Sequence, residues 1–207
     1  MAEIKYTKTE LRIQQVRLAQ LQKYLPTLQL KKALLQAEVM VATIEIANLK
    51  VLLEGEEKRV EKFQILLSDR NGMLAAQGAE VIQVVTSSEN IAGVEIPIFE
   101  NVFFKEPIYS LFDTPPWIDS ATSILRNFVE IEEKVKIAQR KKRALEKELR
   151  EVSIRVNLFE KIMIPRAISN IKKIKIFLGD QQLAAVCQAK VAKKKILLRK
   201  KLQKESA

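Results

Sequence analysis

Two long stretches of this chain repeat apolar residues at alternating spacings of three and four. The first runs Leu18, Leu21, Leu25, Leu28, Leu35, Val39, Ala42, Ile46, Leu49 and Leu53, with Lys32 in the gap, and resumes after Glu56 at Val60, Phe63 and Leu67. The second runs Ile124, Phe128, Ile131, Val135, Ala138, Leu145, Leu149, Val152, Val156, Phe159 and Met163, broken only by Lys142. A seven-residue repeat kept over so many turns is the pattern of a coiled coil, and a strict one implies left-handed supercoiling. Two seams of comparable length bury their stripes when the chain folds back on itself. The expected fold is therefore all-α, a long antiparallel two-stranded left-handed coiled-coil hairpin. A helix of about sixty residues rises about 90 Å, so the expectation is a rod and not a globule.

Glycine and proline place the fold-back. Gly72, Gly78, Gly93, Pro97, Pro107, Pro115 and Pro116 all fall within residues 72–118, leaving only Pro26, Gly55, Pro165 and Gly179 elsewhere. The chain divides into an N-terminal long helix (1–71), a small central insert (72–118) and a C-terminal long helix with a basic tail (119–207). Within the insert, Glu80–Thr86 and Val94–Phe104 are β-prone and Thr86–Gly93 is turn-like, which predicts a short β-hairpin. Pro97 restricts that pairing to an edge or a bulge. Val102, Phe103, Phe104, Ile108, Tyr109, Leu111, Phe112 and Trp117 are too many for so small a unit to bury alone. Docking onto another subunit and packing back onto the helices are both open. Thr114 before Pro115 and Pro116 is a start signal for the second helix, with Ser120 as the alternative. Pro26 and Pro165 each remove a donor and crowd the carbonyl four residues back, so a kink is expected near each. Lys32, Glu56 and Lys142 at seam positions either fix register or reach out to water along their stems.

Catalytic parts are scarce. There is no histidine, the single Cys187 has no base to activate it, and no Gly-rich phosphate loop is present. The acidic clusters Glu54, Glu56, Glu57 and Glu130, Glu132, Glu133 lie at helical spacing beside lysines and arginines, which is the pattern of a solvated helix face. A non-enzyme without cofactor, metal or bound nucleotide is expected. The most apolar stretch, Ala33–Leu53, carries Glu38, Glu45 and Lys50, each costing about 3 kcal/mol at a bilayer centre, so no membrane insertion is expected. The first thirty residues mix charges with apolar positions and give no leader pattern.

Charge is one-sided. Residues 1–165 hold 24 Lys and Arg against 23 Asp and Glu, whereas residues 166–207 hold 12 against 2, so nearly all of the +11 sits in the last fifth. Such a tail calls for an acidic neighbour or water.

The run Arg155, Val156, Asn157, Leu158, Phe159, Glu160, Lys161, Ile162, Met163, Ile164, Pro165, Arg166 resembles the R-V-N-x-x-E-x-x-x-I-P signature of the D subunit of V-type and archaeal-type rotary ATPases. Thr7-Lys8-Thr9-Glu10-Leu11 through Leu28, Lys31, Lys32, Leu34 and Leu35 is similar to that family's opening helix. The signature residues are Arg155, Val156, Asn157, Glu160, Ile164 and Pro165. Tyr24-Leu25-Pro26 stands where the family usually has basic residues and a glycine, and Gly179–Gln182 where it is richer in Glu and Arg.

The resemblance implies a central-stalk rotor. Its coiled-coil end would enter the hexamer of catalytic A and B subunits, the F subunit would bind alongside near residues 60–75 and 115–140, and the insert end would face the membrane rotor-linking subunit. Rotation would couple ATP hydrolysis or synthesis to proton or sodium transport. The place implied is cytoplasmic, peripheral to the inner face of the membrane. Candidate bearing contacts are Lys5, Lys8, Arg12, Arg17, Lys31, Arg166, Lys172, Lys173, Lys175, Lys190, Lys193 and Lys194. The alternative class is a basic coiled coil that binds nucleic acid or acts as a scaffold. Against nucleic acid stands a tail with no aromatic residue to stack on bases.

Overall fold

The computed structural model describes residues 5–68, 72–106 and 114–205. In chain order these form α1 (Lys8–Glu61), α2 (Gln64–Leu67), α3 (Gly72–Gly78), β1 (Val81–Ile91), β2 (Val94–Phe104), α4 (Trp117–Leu158), a π-helical turn (Phe159–Met163) and α5 (Ile164–Glu205). The chain separates into two compact units, one made of residues 1–29 with 154–207 and one made of residues 30–153.

In the terminal unit, the Thr7 hydroxyl accepts from the Glu10 amide at 3.2 Å and starts α1, while the Glu10 carboxylate accepts from Gln14 at 2.9 Å. The helix continues past Pro26, which lies inside it. Pro26 is exposed, so its ring displaces no packing, and the Thr27 hydroxyl donates to the Tyr24 carbonyl at 2.8 Å. At Pro165 the disturbance takes another form. Proline cannot donate to the Lys161 carbonyl and crowds it, and the helix opens into the π turn Phe159–Met163 immediately before α5. The unit's core is a line of Leu21, Val156, Ala167 and Ile174. Tyr6 lies against Phe177 with ring centroids 5.0 Å apart.

In the other unit α1 and α4 run antiparallel. Lys31 pairs with Glu148 at 2.8 Å and Glu45 with Lys141 at 3.1 Å, so partners retreat along α4 as α1 advances. Leu35, Ala42, Val135, Ala138, Leu145 and Val152 are buried. Each fully buried leucine or valine contributes about 1.5–3 kcal/mol relative to exposure. Pairs such as Lys134–Glu130 add little beyond holding the helix surface.

The long helix stops at Glu61, short of the boundary at 71 read from the sequence, and two short helices turn the corner. Their core is Ala75, Ile118 and Ala121, packed by Phe63, Leu67, Trp117 and Leu125. Gly72 is required here: a Cβ on it would run into the Leu67 carbonyl. α4 begins at Trp117, after the Thr114-Pro115-Pro116 signal, and the Ile118 amide donates to the Pro115 carbonyl at 3.1 Å.

β1 and β2 pair antiparallel from Val81 opposite Phe104 to Ile91 opposite Val94. The segment Thr86–Ile91 is paired strand and not loop, because the turn needs only Ala92 and Gly93, whose φ angles are 53° and 81°. Two residues of positive φ match the twist of the flanking strands. The hairpin packs back on the helices. Ile96 and Val102 are buried, Phe99 lies under the Lys134 ammonium at 5.0 Å, and a Cβ on Gly93 would come within 4.0 Å of the Lys31 ammonium. Arg126 clamps its base, donating to the Gly78 and Lys105 carbonyls at 2.8 and 2.9 Å while covering the Phe104 ring. Phe103 is left 52% exposed. Ile108, Tyr109, Leu111 and Phe112 lie outside the described residues.

Candidate partner-binding surfaces

The seam residues named from the sequence fall in two classes. Leu21, Leu35, Ala42, Val135, Ala138, Leu145, Val152 and Val156 are buried. Leu18, Leu25, Leu28, Val39, Ile46, Leu49, Leu53, Ile124, Phe128, Ile131, Leu149, Phe159 and Met163 are half-buried. Lys32 and Lys142 are half-buried, and Glu56 accepts from Arg59 at 2.8 Å through Oε1 while its Oε2 is enclosed without a partner.

The signature residues point mostly outward. Val156 is buried and Ile164 half-buried, whereas Arg155, Asn157, Glu160 and Pro165 are exposed. Among the described residues no hydrogen bond or ion pair holds Arg155, Asn157 or Glu160. Packing of this chain therefore does not account for those three polar residues.

Of the basic residues, Lys5, Lys8, Arg12, Arg17, Arg166, Lys172, Lys173, Lys175, Lys190, Lys193 and Lys194 are exposed. Lys31 differs, being half-buried and held by Glu148. It belongs to the joint between α1 and α4 and not to a free cationic surface.

Sequence reasoning missed the continuation of the seam beyond Met163. Spacings of three and four carried onward would bring Arg166, Asn170, Lys173 and Phe177 inward. The buried residues are instead Ala167 and Ile174, with Ile171 and Leu178 half-buried, each one position later. A π turn is a one-residue insertion in an α-helix, and it advances the inward face by that one residue. The signal was the run of three consecutive fours, Phe159, Met163, Ala167, Ile171.

From Gly179 to Arg199 every residue of α5 is exposed. Leu183, Val186, Val191, Ile196, Leu197 and Leu198 are each more than half exposed, among Lys190, Lys193, Lys194, Lys195 and Arg199. Six large apolar side chains therefore lie open to solvent along this stretch of α5. Among the described residues no group of His, Cys, Asp or Glu is placed to hold a metal ion, and no helix is long and apolar enough to cross a membrane.

An antiparallel helix pair strapped by a β-hairpin in one unit, and an uncovered basic helix in the other, define a helical component of a larger assembly. The family model described as the D subunit of ATP synthase matches residues 10–194, and this chain belongs to that family. It is 44% identical over 200 residues to the V-type ATP synthase D subunit of Chlamydia caviae, covering 96% of both chains. It is 42% identical over 199 residues to that of Chlamydia pneumoniae, covering 96% of this chain and 95% of the relative. With that of Chlamydia muridarum it shares 44% identity over 196 residues, 94% of this chain and 97% of the relative.

Proposed function

We propose that this chain is the central-stalk rotor of a V-type ATPase or ATP synthase. It turns inside a hexamer of catalytic A and B subunits and couples ATP hydrolysis or synthesis to proton or sodium transport through a membrane ring. The chain itself is non-catalytic and works by moving other subunits, with the F subunit and a membrane rotor-linking subunit as its further partners. The complex sits on the inner, cytoplasmic face of the membrane.

The observation that carries the reading is the uncovered C-terminal part of α5. A lysine-rich helix that also bears large apolar side chains, with all of Gly179–Arg199 exposed, suits a collar of surrounding subunits. Membership of the D-subunit family supports it. The outward polar residues Arg155, Asn157 and Glu160 add a lateral contact that internal packing does not require. In this reading the seams supercoil left-handed, so that slipping register would unpack every knob together and the shaft resists unwinding. The catalytic interfaces take different states because each meets a different face of the axle.

The test is co-purification of the tagged chain from its native cells at moderate salt with nuclease present. The expected result is stoichiometric A, B and F subunits with ATPase activity in the eluate. Nucleoprotein components alone, lost on nuclease treatment, would replace the rotor with the basic nucleic-acid-binding reading.

A further inference from the structure

β1 and β2 form a two-stranded ribbon, and among the described residues neither has another strand beside it. The outer edges of the two strands are not alike. β2 carries both buried hairpin residues, Ile96 and Val102, and its Pro97, Ile98 and Phe99 line a groove with Glu45 and Leu49 of α1 and Lys134 of α4. β1 buries none of its eleven residues.

In a hairpin closed by two residues the flanking pair exchanges main-chain hydrogen bonds, and every second pair after it turns its N–H and C=O groups outward. With Ile91 opposite Val94, the outward positions on β1 are Asn90, Ser88 and Thr86, facing Glu95, Pro97 and Phe99. Pro97 thus stands where β2 would have offered an outward N–H, which blunts that edge. Open edge strands are ordinarily guarded by proline or lysine, and Val81–Ile91 contains neither. The register shifts leave Ile82 as the extra residue on β1 and, opposite the Val85–Thr86 step, Glu100 as the extra residue on β2, so Gln83–Ile91 holds no extra residue of its own.

Charge adds selectivity. In a chain of net charge +11, residues 80–104 hold Glu80, Glu89, Glu95 and Glu100 and no lysine or arginine. Among the described residues only Glu80 of these is ion-paired, with Lys105 at 3.0 Å. We propose that the outer edge of β1 accepts an extended, basic segment of another protein chain as a third antiparallel or parallel strand. The main-chain groups of Thr86, Ser88 and Asn90 supply the hydrogen bonds, and the unpaired hairpin glutamates select lysine or arginine. This goes beyond the rotor reading and does not rest on it.

The test uses the full chain, isotopically labelled, with a capped peptide of about nine alternating lysines and valines. The same peptide with glutamate for lysine serves as control. The lysine peptide, at millimolar concentration, is expected to slow amide exchange at Thr86, Ser88 and Asn90 by about tenfold, and the glutamate peptide to leave it unchanged. Ser88→Pro removes one outward N–H and no bond of the hairpin, so it should weaken peptide binding by up to about tenfold while Ser88→Ala binds as the parent. Persisting protection of the inward Ser87 and Glu89 amides shows that the Ser88→Pro hairpin is intact. If it is not, the parent chain's response to the two peptides decides. Protection absent from β1, equal for both peptides, or unchanged in an intact Ser88→Pro hairpin overturns the proposal.

Discussion

Leu145 and Arg126 do opposite kinds of work. Leu145 is fully buried between the helices, and shortening it leaves a cavity that rigid neighbours cannot close. Leu145→Ala should cost about 2–5 kcal/mol in chemical denaturation, whereas Leu30→Ala, at a position 71% exposed, should stay within about 0.5 kcal/mol. Gly72→Ala forces a methyl group against the Leu67 carbonyl and should cost about 1–3 kcal/mol. Arg126 is a tie, joining α4 to α3 through the Gly78 carbonyl and to the end of β2 through the Lys105 carbonyl and the Phe104 ring. Lys136 shows the electrostatics of the exposed surface. Hydrogen bonds to Glu132 and then Glu133 raise its pKa above the ordinary lysine value. Its small stabilising contribution is therefore complete below that ordinary value and is lost as pH rises through the raised one. In Glu132→Gln the Lys136 titration, followed by NMR, should move back toward the ordinary lysine value.

Legibility changes from element to element for physical reasons. Long heptads are legible because one face must be apolar over many turns, and Leu35, Ala42, Leu145 and Val152 sit where that face places them. The hairpin was legible from β-branched and aromatic runs, but its turn was read too long, since Thr86–Asn90 is polar and a polar stretch on the outer strand of a ribbon resembles a loop. The corner helices α2 and α3 were not legible, because four and seven residues are too few to show a period. Beyond Met163 the phase was lost at the π turn. That turn makes its own prediction. Deleting the exposed Ile162 should return the turn to α-helix and keep Ala167 and Ile174 inward, with little change in melting temperature. Deleting Arg143, within regular α4, rotates the seam that follows by about 100° and should cost several kcal/mol. Equal effects of the two deletions would show that the π turn does not set the phase.

At the scale of the molecule, the excess of basic charge is legible as composition and not as position. The excess charge of residues 166–207 calls for an acidic neighbour or water, yet nothing in the charge count separates Lys31, which is tied to Glu148, from the exposed lysines. Only folding sorts them. The central claim is that the chain turns within a catalytic hexamer, and rotation is directly observable. With Cys187 changed to serine and Glu100→Cys on the hairpin carrying a bead, the chain would be assembled into surface-fixed A and B subunits and supplied with ATP. The account predicts unidirectional rotation in three equal steps per turn, dependent on ATP. A hexamer that hydrolyses ATP with the chain bound and stationary would contradict it.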